Sequence, residues 1–177
     1  AILEGMGPKL LAGVIERCII DTDKRGMTAN IRFNSYINRE TLSTAAEKLK
    51  VGLSLNEIKL ISSFSADSFS NEAAEDIANS LKAENVMING YLNGAEFETD
   101  EGVVSISLKF GGVDTIKNCD FEKNFALRVK DVFGIDVEVR FTGQLEDVKM
   151  VTPKIEQKPF IPQKSSDSAP KAAGGVK

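Results

Sequence analysis

The chain has 177 residues, with 22 Lys and Arg against 26 Asp and Glu, a net charge of −4, and no His. Without His, the commonest general base, the Ser-His triads and most zinc sites are excluded at once. The mild negative charge gives no overall field that would draw the chain to nucleic acid or a membrane surface, and the length permits one domain or two small ones.

The charge is unevenly spread. Residues 151–177 hold five Lys and two acids, a net of +3, so the net of −4 leaves −7 on the first 150. Cys18 and Cys119 are far apart and have no partner at metal-ligand spacing, so they read as buried or incidental thiols in a reducing cytoplasm. No stretch approaches the roughly 20 apolar residues of a membrane span. No basic region followed by an apolar core opens the chain, so no export signal is expected. A start at Ala and a linker-like end lead us to expect a fragment of something longer.

A first module is predicted from about Val14 to Phe64. Val14 to Ile20 alternates with apolar residues on both faces, the polar run Asp21 to Gly26 turns the chain, and Met27, Ala29, Ile31 and Phe33 alternate on a return strand. Asn38 is the expected N-cap of a helix carrying Leu42, Ala45, Ala46 and Leu49, which Gly52 ends. Ile58, Leu60, Ser62 and Phe64 form a third strand, so the module reads ββαβ.

The polar connection from Ser65 to Asn71 marks a boundary, and Ser70 or Asn71 caps the next helix, whose face carries Ala74, Ile77, Ala78 and Leu81. Asn89-Gly90 and Asn93-Gly94 read as turns before a hairpin. Ala95 to Asp100 and Val104 to Phe110 are its strands, and Asp100-Glu101-Gly102 is its tip. Gly111-Gly112 leads into a short helix with Val113 and Ile116. Asp120 is the expected cap of a longer one with Phe121, Phe125, Val129, Val132 and Phe133, stopped by Gly134. Ile135, Val137, Val139 and Phe141 close the unit as a strand, giving αββααβ. The predicted fold class is therefore α+β, with two small two-layer domains over 1–66 and 67–145. Residues 146–177, with four of the five prolines, form a flexible linker in which Phe160 and Ile161 are a candidate docking anchor.

No catalytic, metal or cofactor constellation is found. Glu96, Glu98, Asp100 and Glu138 fall on the polar side of strands and read as solvated sheet residues. Gly111-Gly112 lacks both GxGxxG and a Walker-type Lys-Ser/Thr, so it reads as a tight turn, and Asp21-Thr22-Asp23 lacks the Gly and closing Glu of a calcium loop. Two features are candidates for nucleic acid: the Lys-bearing tail and the turn between the last two helices. Lys117 and Asn118 lie at it and Lys123 and Arg128 follow on the longer helix, although Asp114, Asp120 and Glu122 interrupt the basic field.

The αββααβ order, with a helix-turn-helix bracketed by strands, resembles a type II KH domain. KH modules clamp single strands with a GXXG loop between the central helices; here that loop reads Lys117-Asn118-Cys119-Asp120, without glycine. The segments Asn89 to Glu96, Leu108 to Gly112 and Phe133 to Val139 look like the second N-terminal domain of PolC-type DNA polymerase III alpha subunits of Gram-positive bacteria. The upstream module, with Ile15 to Ile20, Asp21, Arg25 and the helix from Arg39, is similar to that family's first N-terminal domain. The resemblance implies a non-catalytic piece of a DNA-directed DNA polymerase whose nucleotidyl-transfer and proofreading exonuclease motifs lie downstream, so no catalytic residue carries over. It also implies replisome partners such as clamp-loader subunits, helicase or primase, with no membrane and no small-molecule ligand. The alternative is a KH-like module that binds single-stranded DNA.

Overall fold

The structure is a computed structural model and describes residues 7–147; the predicted linker beyond residue 147 and its Phe160-Ile161 anchor lie outside the described residues. The chain is α+β. A short helix α1 (Pro8–Leu11) precedes a first sheet of β1 (Val14–Asp21), β2 (Gly26–Phe33) and β3 (Glu57–Phe64), with α2 (Arg39–Gly52) between β2 and β3. A 3-10 turn (Ala66–Ser68) leads to α3 (Asn71–Glu84) and α4 (Val86–Asn89). A second sheet follows, of β4 (Glu96–Asp100), β5 (Val103–Leu108) and β6 (Glu138–Gly143), with α5 (Val113–Asn118) and α6 (Phe121–Phe133) inserted before β6.

The two sheets share one topology. In each, a hairpin is followed by a helical crossover to a third strand, so the strand orders are β1-β2-β3 and β4-β5-β6. The first pair is antiparallel and the second parallel, with Gly26↔Glu57 through Phe33↔Phe64 in one sheet and Val103↔Glu138 through Leu108↔Gly143 in the other. Between Ile15 and Arg17 the β1–β2 ladder slips by one residue, leaving Glu16 as a bulge.

Local chemistry sets most of the helix ends. The Asn38 side chain accepts the Thr41 N–H at 3.0 Å and starts α2, and the Ser70 hydroxyl accepts the Ala73 N–H at 3.4 Å and starts α3. Asn71 is not the cap. Its Oδ1 accepts both the backbone N–H and the hydroxyl of Thr99 at 2.8 Å, tying α3 to β4. Asp120 holds the N-cap position of α6 but makes no side-chain cap bond, because its left-handed backbone (φ 53°) is not the extended conformation from which a cap side chain reaches back.

Three further expectations are corrected. β5 ends at Leu108, and Phe110 is half-exposed because Gly111 and Gly112 (φ 78° and 85°) turn the chain there. A side chain at Gly112 would run into the Tyr91 ring, so the glycine pair is a tight junction, as expected. β6 begins at Glu138, leaving Ile135 and Val137 outside the ladder yet packed on the core. Asn89-Gly90 closes a short helix, α4, whose Ile88 is buried.

The main core lies between the second sheet and the helices α3 and α6. Val104, Ile106 and Leu108 of β5 point into it with Ala74, Ala78 and Leu81 of α3 and Phe121, Phe125 and Val129 of α6. It continues across the Ser65–Ser70 connection into Phe33, Ile37 and Phe64. Phe133 forms the link, with its ring centroid 5.4 Å from Phe64, 6.0 Å from Tyr36 and 5.0 Å from Phe69. Among the described residues, no helix is long and apolar enough to cross a membrane.

Candidate functional site

The four residues predicted for nucleic acid do not form one basic surface. Lys117, in the last turn of α5, reaches Glu122 at 3.5 Å. Arg128 is held by Glu84 at the end of α3, with Nη2 donating to Oε1 and Oε2 at 3.0 and 3.2 Å. Asn118 ends α5. Lys123 is exposed on α6 and has no ion-pair partner among the described residues. Lys123 and Arg128 are five positions apart, about 140° around the helix axis, so they face different neighbours. Arg128 was legible as a cation, but its acidic partner 44 residues upstream was not.

The acidic strand residues behave as the alternation predicts. Glu96, Glu98, Asp100 and Glu138 are exposed on the polar face of the second sheet. Glu96 pairs with Lys109 at 3.5 Å. Glu138 accepts two bonds from Arg140, at 2.8 and 3.0 Å, and these bonds with the guanidinium charge hold its carboxyl below the usual range. Among the described residues, no group of three His, Cys, Asp or Glu is placed to hold a metal ion. Cys119 is half-buried at the α5–α6 turn, whereas Cys18 is exposed on β1.

A site that sequence reasoning missed lies where the two sheets' layers meet. α2, β3, α3 and α6 enclose an open groove of about 510 Å³. Its floor is apolar, with Leu42 and Ala46 from α2, Leu60 and Phe64 from β3, Ile77 from α3 and Val132 and Phe133 from α6. Arg39, Lys59 and Arg128 stand around it, with Ser43, Ser62 and Ser80. The α2 stripe that carries Leu42 and Ala46 buries only Ala45 completely, so much of its apolar face lines this groove.

One polar cluster fixes the groove's wall. The Tyr36 hydroxyl donates to Asp76 Oδ2 at 2.5 Å, and the Arg39 N–H at the start of α2 donates to the same oxygen at 3.2 Å. Asn38 Nδ2 donates to Glu72 Oε1 at 3.4 Å. α3 thereby presents two carboxylates to the N-terminus of α2, the end at which negative charge is favourable. Burial, the bond to Asp76 and the negative charges of Asp76 and Glu72 together push the Tyr36 phenol far above its ordinary range. A neutral phenol whose proton is already donated to a carboxylate serves as a tie between α3 and the chain entering α2, not as a base or nucleophile. The groove therefore offers shape, apolar surface and peripheral positive charge, which are means of binding. No protein-family model, curated protein or solved structure matches the chain.

Proposed function

We propose that this chain is a non-catalytic protein-interaction module, the N-terminal region of a PolC-type replicative DNA polymerase, which docks to another replisome protein during DNA replication. The observation that carries the docking role is the groove between α2, β3, α3 and α6. Its apolar floor, with Arg39 and Lys59 beside it and Arg128 already held by Glu84, suits a partner segment with apolar side chains and acidic flanks. The polymerase assignment is supported by the sequence resemblance over Asn89 to Phe141 and, at pattern level, over Ile15 to Arg39. The cytoplasm is the compartment this reading implies.

The test is a pull-down of the full chain against purified clamp-loader, helicase and primase subunits. Binding to one of them is expected, and Leu42→Asp or Val132→Glu in the groove should abolish it while circular dichroism stays unchanged. No binding to any of them at micromolar concentrations ends the reading. A second reading, single-stranded DNA binding, is favoured by the exposed and unpaired Lys123 beside the α5–α6 turn. It requires salt-sensitive binding that Lys117→Glu or Lys123→Glu weakens, and it fails if anisotropy shows no binding at about 50 mM salt.

A further inference from the structure

The first sheet has two edges with different surroundings. The β3 edge lies against α6, whereas no described element pairs with the outer edge of β1. All eight residues from Val14 to Asp21 are exposed, including Val14 (61%), Ile15 (62%), Ile19 (48%) and Ile20 (66%). An edge this long and apolar is a template for another strand; it has no Lys or Pro, but Glu16, Arg17 and Asp21 restrict it to a strand that meets those charges. Its one irregularity is the bulge at Glu16.

That bulge decides which strand fits. Cys18 is paired with the buried Ala29 and Ile15 with Ile31, which places both on the inner face of the sheet, the one on which Ala29 and Phe33 are buried. Val14, Arg17 and Ile19, opposite Arg32, Asn30 and Thr28, are on the other face. Glu16 joins them, since its carboxylate meets Arg32 Nη2 at 2.6 Å. The outer face is therefore used twice in succession, at Glu16 and at Arg17.

Two copies of a strand related by a two-fold axis through the sheet pair antiparallel, and opposed residues must project to the same face. In a regular strand this places the axis on a residue. In β1, an axis on Arg17 would oppose Glu16 with Cys18, from different faces, and an axis on Cys18 would oppose Glu16 with Ile20, with the same conflict. Only an axis between Glu16 and Arg17 keeps the faces matched on both sides of the bulge. That register sets Glu16 against Arg17 of the second copy twice over, Ile15 against Cys18 and Val14 against Ile19. Over Val14 to Ile19 each charge meets its opposite and each apolar side chain meets another, while Ile20 and Asp21 extend past the paired stretch, opposite Gly13 and Ala12. Arg17 has no ion-pair partner among the described residues of its own chain, so the second copy supplies one.

We propose that the chain forms a two-fold dimer by antiparallel β1–β1 pairing about Glu16 and Arg17, joining two three-stranded sheets into one of six strands. This inference is independent of the replisome reading, because it concerns the opposite edge of the first sheet from the groove.

Sedimentation velocity of the full 177-residue chain across a concentration series tests it. The mass should double with rising concentration. Arg17→Glu should weaken the dimer about 100-fold by setting acid against acid. The double variant Glu16→Arg/Arg17→Glu should recover most of the affinity, because the reversed pairs are again opposite in sign. Ile15→Cys should form an intermolecular disulfide with Cys18 of the second copy on oxidation, the two positions being direct cross-strand neighbours, and adding Cys18→Ser should abolish it. If the double variant folds poorly through loss of the Glu16–Arg32 bond, Arg17→Glu and Ile15→Cys still decide the matter. A monomer at the highest soluble concentration, a dimer indifferent to Arg17→Glu, or a Cys18–Cys18 link in the Ile15→Cys variant would each overturn the proposal.

Discussion

The two sheets of this chain have the same strand order and the same sequence of antiparallel and parallel pairs, yet they are buried very differently. The central strand of the second, β5, sends Val104, Ile106 and Leu108 into a core closed by α3 and α6. The first sheet has one crossover helix, α2, which buries only Ala45, and its β1 is exposed throughout. Topology fixes which strands are neighbours; the number of helical faces laid against a sheet determines how much apolar area leaves water. The first sheet compensates by leaning on the second unit through Phe64, Tyr36 and Phe133.

The comparison breaks most sharply in the second core. Phe125 is wholly buried on α6, and Phe125→Ala should cost about 3–5 kcal/mol, read from urea unfolding followed by circular dichroism. A loss under about 1 kcal/mol, the range of an exposed site, would mean that this core is not the chain's main source of stability. Phe133→Ala comes next, at about 3 kcal/mol. Phe133 is the ring on which Phe64, Tyr36 and Phe69 converge, so its removal should also split a single unfolding transition into two, with the first sheet melting earlier. A transition that stays single would show that the groove's polar ties suffice to couple the layers.

Those ties supply the third test. Tyr36→Phe deletes the donor to Asp76 and should cost about 1–2 kcal/mol near neutral pH. The sign of its pH dependence follows from the direction of the shift. The folded phenol ionises well above its ordinary value of 10.0, so its contribution is complete below that value and is lost as pH rises past it. The gap between wild type and Tyr36→Phe should therefore hold up to about pH 10 and narrow progressively over the interval above it. A gap that widens over this interval would contradict the burial of the phenol.

What the sequence discloses and what it hides divide along the same line. The alternation over β4, β5 and β6 is legible because one face of that sheet is covered and one is wet. Asn38 and Ser70 are legible as caps because a cap acts over three residues. In contrast, β1 reads as a strand with apolar residues on both faces, Val14, Ile15, Cys18, Ile19 and Ile20, and nothing in that pattern tells that all its residues are exposed. A strand's own residues report what it could bury, not whether another element arrives to cover it. The groove stayed hidden for a related reason, since its wall depends on Tyr36 meeting Asp76 across 40 residues. Arg128 looked like a phosphate ligand for want of any local sign of Glu84.

The smallest expected effect is the most pointed for the comparison. Ile20 lies at the end of β1, opposite Met27, and is exposed, so its side chain leaves little water behind on folding. Ile20→Ala should change the stability of the monomer by less than about 0.5 kcal/mol, whereas truncating the equally apolar Ile106, fully buried on β5, should cost about 2–5 kcal/mol. Ile20 sits on an edge strand and Ile106 on the central strand of sheets of identical order, so the difference reads out strand position and helix coverage together. The measurement belongs at low protein concentration, where self-association cannot add to it. If Ile20→Ala costs as much as Ile106→Ala there, β1 is covered within its own chain, and the open edge on which the dimer rests does not exist.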